Sequence, residues 1–422
     1  MTGGADDGEG EWSTREPPKH AWRRSHGVLI AALTFGMATG ATGTYTLAAL
    51  SPFVVAELGM SAGGVGLLAC AIYVTAAGSS GFLGRRADTI DPAHILFVGA
   101  TCSLLATIVF VLAPNSMVLV LFAVLAGLAM AASNPGSNGM IATRLAPGSR
   151  AYATGIKQSG ATGTGLYIAS VAPALAVLVG WRWAALASVA IPVLAYVTVL
   201  LSRHERIAEA TSAPGGNAIG AQRRLTWLKW LSAYALMLGV ATGSCNAFYV
   251  LYASEQLGFG PVQAGFVFAL FALVSVVARV AWAKLSERDV DIGLLFVVIS
   301  MIGAMSAVLC LVAPVAGAWA MWTAAALAGG SIVGWNALAM VTIMHNVPLA
   351  AVGASSARML RQFFFGLAGG PLIFGLVVEL AGYAFGWALQ FSALVVAMVF
   401  AVLLGRALRG GGKIRAQEGS LQ

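Results

Sequence analysis

Polar residues in this chain are confined to short intervals between long apolar runs. Twelve runs stand out, near 27–50, 62–82, 93–112, 117–144, 151–178, 182–201, 228–253, 262–283, 292–312, 317–345, 352–379 and 384–405. About 20 apolar residues suffice to cross a hydrocarbon core of roughly 30 Å. Backbone in lipid must also satisfy its own hydrogen bonds, which a helix does internally. The pattern therefore predicts an all-α integral membrane protein with twelve transmembrane helices.

The pattern is also written twice. Leu58-Gly59 returns at Leu257-Gly258, and from there an offset of 199 residues carries Gly84-Arg85-Arg86-Ala87-Asp88 onto Ala283-Lys284-Leu285-Ser286-Glu287. Further along, Val111-Leu112-Ala113-Pro114 matches Leu311-Val312-Ala313-Pro314, Asn134 matches Asn336, Lys157-Gln158 matches Arg361-Gln362, and Gly180-Trp181 matches Gly386-Trp387. A repeat of this length predicts two pseudo-symmetric six-helix bundles, at 27–201 and 228–406. Residues 1–26 are expected to be a disordered tail rather than a secretory signal, because they hold five acids and no apolar stretch. Residues 202–227 read as a flexible linker and 407–422 as a second tail. Two homologous membrane halves suit a carrier that rocks one half against the other around a central site.

Composition agrees. The chain is 59% hydrophobic and 9% charged, with a mean hydropathy of +0.84, whereas soluble domains carry about 25% charged residues. The net charge of +8 does not signal nucleic-acid binding, because of where it lies. Nineteen of the 24 Lys and Arg fall on the side of the two chain ends, and Arg182 alone falls on the other. Basic residues stay in the cytoplasm, so both ends are expected there, in a cell membrane. Cys70, Cys102, Cys245 and Cys310 lie within apolar runs and read as small packing residues. No residue cluster has the spacing of a metal or cofactor site, and nothing supports enzyme chemistry.

These features together resemble the major facilitator superfamily. Gly84-Arg85-Arg86-Ala87-Asp88 fits the opening of that family's loop between the second and third helices, although Thr89, Asp91, Pro92 and Ala93 depart from the rest of it. The Gly-Trp-Arg-Trp run at 180–183 and Gly334-Trp335-Asn336 are also similar to the family. The resemblance implies a secondary transporter working by rocker-switch alternating access. It also implies a conformational latch at Gly84, Asp88, Glu287 and Arg288, in which Asp88 pairs with a helix N-terminus on the other half. Two features of the family's proton-driven members are absent. Ala123 stands where an Arg would precede Gly127, and Gly163, Gly165 and Pro173 do not form Gly-x-x-x-Gly-Pro.

All 16 Asp and Glu can be placed in tails, loops or span ends, and no histidine lies mid-span. Charge inside a membrane is costly and marks function by default. Two cations qualify, Lys157 and Arg361, at matching repeat positions and each followed by Gln, at Gln158 and Gln362. They either open on a central cavity or pair structurally and snorkel. Arg358 and Arg279 are expected to snorkel. By resemblance the cavity is lined by spans 1, 4, 7 and 10, which here offer Tyr45, Asn134, Asn138, Asn246, Tyr249 and Asn336. The expected substrate is a small organic, carboxylate-like anion. The alternatives are efflux of a neutral or drug-like solute by proton antiport and, more remotely, a non-transporting sensor. The expected partners are the lipid bilayer and the solute, with the protein a monomer.

Overall fold

The structure, a computed structural model, describes residues 24–202 and 226–419, apart from Asp88, Glu287 and Asp289. Twelve membrane-length helices cross it: α1 Gly27–Leu58, α2 Ala62–Ala87, α3 Pro92–Leu112, α4 Val118–Arg144, α5 Tyr152–Val179, α6 Trp181–Leu201, α7 Thr226–Leu257, α8 Pro261–Ser286, α9 Ile292–Ala316, α10 Ala318–Asn346, α11 Ala354–Ala381 and α12 Tyr383–Arg409. No strand occurs among the described residues. Each expected run is helical, the tenth with a break, and six of the helices extend at least four residues beyond the run. The last helical backbone runs on to Gly419, into the stretch expected as a tail.

Local chemistry sets the helix ends, and it repeats. α1 and α7 both stop at a glycine in the left-handed region, Gly59 at φ 61° and Gly258 at φ 63°, a conformation that costs glycine little. Asp91 caps α3 by accepting the Ala93 amide at 3.0 Å, and Asp291 caps α9 by accepting the Gly293 amide at 2.7 Å. Burial opposes ionisation of Asp91, but the Ala93 amide and the Arg144 guanidinium hold its carboxyl below the usual carboxylate range. Arg144 spans 3.1 Å to Asp91 and 2.9 Å to the Ser202 carbonyl, tying α3, α4 and the end of α6 together. Asp291 is likewise paired with Arg409 beyond α9.

Glycine lets the helices of each half pack backbone to backbone. A Cβ on Gly160 of α5 would strike the Thr34 carbonyl of α1, and one on Gly366 of α11 would strike the Leu236 carbonyl of α7. In lipid, where water supplies no drive for helices to associate, such close approach holds a bundle together. The two halves meet along α2 against α11 and α5 against α8. Together they enclose a space at mid-depth.

Candidate functional site

The cavity between the halves has a volume of about 180 Å³. It is lined from α1, α2, α4 and α5 of one half and α7, α8, α10 and α11 of the other. Among the described residues, α3, α6, α9 and α12 contribute nothing to it.

A broken helix builds one wall. α10 is interrupted by a turn at 332–334 and resumes at Trp335. The freed Ile332 carbonyl accepts a bond from the Thr242 hydroxyl of α7 at 3.0 Å, and the Trp282 indole of α8 bonds the Gly330 carbonyl at 2.7 Å. Irregular backbone at membrane depth is tolerated where protein partners satisfy it beside a cavity. Val333, Trp335 and Asn336 at the break all line the space. Opposite them, in the equivalent helix of the first half, Pro135 removes a backbone donor from α4 just after Asn134.

The charge in the cavity comes from an unexpected residue. Arg279 of α8 does not snorkel to the headgroups. Its guanidinium points inward, donates to the Thr162 hydroxyl of α5 at 2.8 Å, and so links the two halves. Its Nε is buried with no hydrogen-bond partner, and the same is true of the Trp335 indole nitrogen. Both residues line the cavity, each with that nitrogen shielded from the open space, and both nitrogens can only donate. Among the described residues, Arg279 is the sole cation lining the cavity and no carboxylate lines it.

The cations expected to serve the site stand elsewhere. Lys157 is 1% exposed, and its ammonium donates to Ser137 Oγ at 3.0 Å and to Asn138 Oδ1. It faces α4 rather than the cavity. Arg361 is exposed, one turn from Phe364 toward the chain ends; Gln158 is exposed and Gln362 half-buried. None of these four lines the cavity. Tyr45, Asn134, Asn246 and Asn336 do, together with Tyr73 of α2, whose hydroxyl accepts from the Asn246 amide at 3.5 Å. Tyr249 is buried away from it, packed against Phe271 and Trp387 in the second half's aromatic core.

Asn138 lines a second, larger cavity of about 500 Å³ that runs from mid-depth to the side of the chain ends. Ala76, Ser80 and Gly84 descend one face of α2, and Asn134, Asn138 and Ala142 descend one face of α4. Met130, Asn134 and Phe364 belong to both cavities and form the partition between them. Gly78 and Gly84 of α2 face open space. Of the expected latch, Gly84 borders this vestibule and Arg288 is exposed, while Asp88 and Glu287 lie outside the described residues.

The far side is shut. A Cβ on Gly66 of α2 would collide with the Pro371 carbonyl of α11, and one on Gly265 of α8 with the Ala169 carbonyl of α5. Glu379, at the end of α11, accepts from the Gly63 amide at 3.1 Å and the Ser61 hydroxyl at 2.9 Å, capping α2 from the opposite half. The family resemblance puts an acid at a helix N-terminus across the halves at Asp88; among the described residues it occurs at the other end of α2. The molecule is thus closed on the far side and open on the side of its chain ends.

Solved structures share this architecture. A bacterial homolog of the human lysosomal transporter Spinster, in an inward-facing and occupied conformation, superposes with a TM-score of 0.72 at 17% identity, covering 91% of this chain and 98% of that one. The nucleoside transporter NupG, in a mutant form, gives 0.68 at 13% identity over 91% and 99%. At these identities the likeness is one of fold. No curated protein matches the sequence significantly. The family model for the Major Facilitator Superfamily matches residues 28–369. With twelve helices, a twofold repeat and a mid-depth cavity between the halves, the chain belongs to the Major Facilitator Superfamily.

Proposed function

We propose that this protein moves a small organic anion across the membrane by alternating access, with Arg279 as the group that holds it. One observation carries the reading: among the described residues, the cavity is lined by one guanidinium, Arg279, and by no carboxylate. Two charges 4 Å apart attract by about 4 kcal/mol at an effective dielectric of 20. Arg presents its donors as a planar fork that suits a carboxylate. A cationic solute would be repelled by the guanidinium. The unpartnered groups of the lining residues are the Arg279 and Trp335 nitrogens, which donate, and the Thr44 hydroxyl, which can donate or accept.

The solute reaches mid-depth through the vestibule between α2, α4 and α11 and leaves after the halves tilt to open the far side. The bias of basic residues toward the chain ends supports a cytoplasmic vestibule. Counterflow in proteoliposomes tests the reading. Arg279→Gln is expected to cut organic-anion counterflow at least tenfold, the scale of losing a charge-assisted bond of about 1.5–3 kcal/mol. Arg279→Lys should keep part of it. Undiminished counterflow by Arg279→Gln in correctly inserted protein would sink the reading.

A further inference from the structure

We infer that the anion taken up at Arg279 is a small aromatic monocarboxylate, one ring bearing one carboxylate. The inference rests on the anion reading above and narrows it by the shape and walls of the same cavity.

Charge comes first. With one cation and no described carboxylate in the lining, a single negative charge balances the site, and a second would be buried without a partner, which is costly. Size follows. At about 180 Å³ the space lies below the roughly 300–1,000 Å³ of pockets for drug-sized ligands. It has room for on the order of six waters, which fits a single ring and its carboxylate.

The walls choose the ring. Tyr45, Tyr73, Phe271, Trp335, Phe363 and Phe364 all line this one cavity. Aromatic groups prefer tilted or offset arrangements and gain more from such contacts than from area alone. Several of these rings are already held in place. Trp335 sits between Tyr234 and Phe363 at centroid distances of 5.8 and 5.4 Å, and Tyr45 leans on Phe268 at 5.7 Å. Fixed rings lose little freedom when a ligand enters. Trp335 stands on the wall formed by the break in α10, fully buried among its neighbours. The carboxylate answers the guanidinium of α8, and the ring fills the aromatic remainder.

Calorimetric titration of the purified full-length protein tests this with four probes: benzoate, cyclohexanecarboxylate of similar size but saturated, the dianion succinate, and neutral benzamide. Benzoate is expected to bind about tenfold tighter than cyclohexanecarboxylate and far tighter than succinate or benzamide. Arg279→Gln should abolish benzoate binding. Trp335→Leu should lower benzoate affinity toward that of cyclohexanecarboxylate while leaving the latter unchanged, and Phe271→Leu serves the same purpose if Trp335→Leu misfolds. Equal affinity for benzoate and cyclohexanecarboxylate overturns the aromatic inference and leaves the anion reading standing. Benzamide binding as tightly as benzoate, or no binding by any carboxylate, overturns both.

Discussion

Arg279 and Lys157 are two cations at membrane depth with opposite surroundings. Arg279 lines a cavity and keeps a buried nitrogen without a partner, whereas two of the three donors of the Lys157 ammonium are taken by Ser137 and Asn138. Position along the chain does not separate them. Arg279 lies two turns from the end of α8, close enough to reach headgroups, and only the packing of α8 against α5 turns it inward. Lys157 is legible in the sequence as buried charge, but its direction depends on where α4 passes. The difference is testable. Ser137 also donates to the Ser133 carbonyl at 2.6 Å and Asn138 is exposed, so both keep partners if the ammonium goes. Lys157→Met also removes the cost of burying an ammonium that has only neutral partners. Its melting temperature in detergent should hold or rise, with substrate affinity unchanged; loss of affinity would place Lys157 in the site after all.

At the scale of elements, the apolar runs foretell all twelve helices, because membrane-length hydrophobicity needs no tertiary information. The repeat foretells that α1 and α7 end alike, but not the break in α10, because Pro135 after Asn134 has no counterpart after Asn336. Contacts between the halves are out of its reach. Glu379 is an ordinary acid at a helix end until α11 is laid beside α2, where it caps an N-terminus 316 residues away in sequence. An acid in that exposed position contributes about 0.3–1 kcal/mol. Glu379→Ala should therefore raise the share of far-side-open molecules by roughly 2- to 5-fold. A cysteine placed at cavity residue Ser275 reports this as faster labelling by an impermeant thiol reagent from the far side. An unchanged rate would show that backbone packing at Gly66 and Gly265 alone keeps that side shut.

The whole molecule is two six-helix halves around a mid-depth cavity, which the twofold pattern makes legible, and on the proposed function the halves close alternately over one solute site. Which solute it carries depends on side chains that converge from eight helices, a juxtaposition no linear spacing encodes. The solitary guanidinium has an electrical consequence. When the site is empty the moving cavity holds one positive charge; when a monoanion fills it the cavity is neutral. Reorientation of the empty form then moves charge through the membrane field, worth up to about 2.3 kcal/mol per 100 mV, while reorientation of the filled form moves none. One-for-one exchange of solute, which uses only the filled form, should ignore an imposed voltage. Net uptake, which must return the empty form, should follow it. Valinomycin-clamped proteoliposomes separate the two, and voltage-sensitive exchange would mean that another charge travels with the solute.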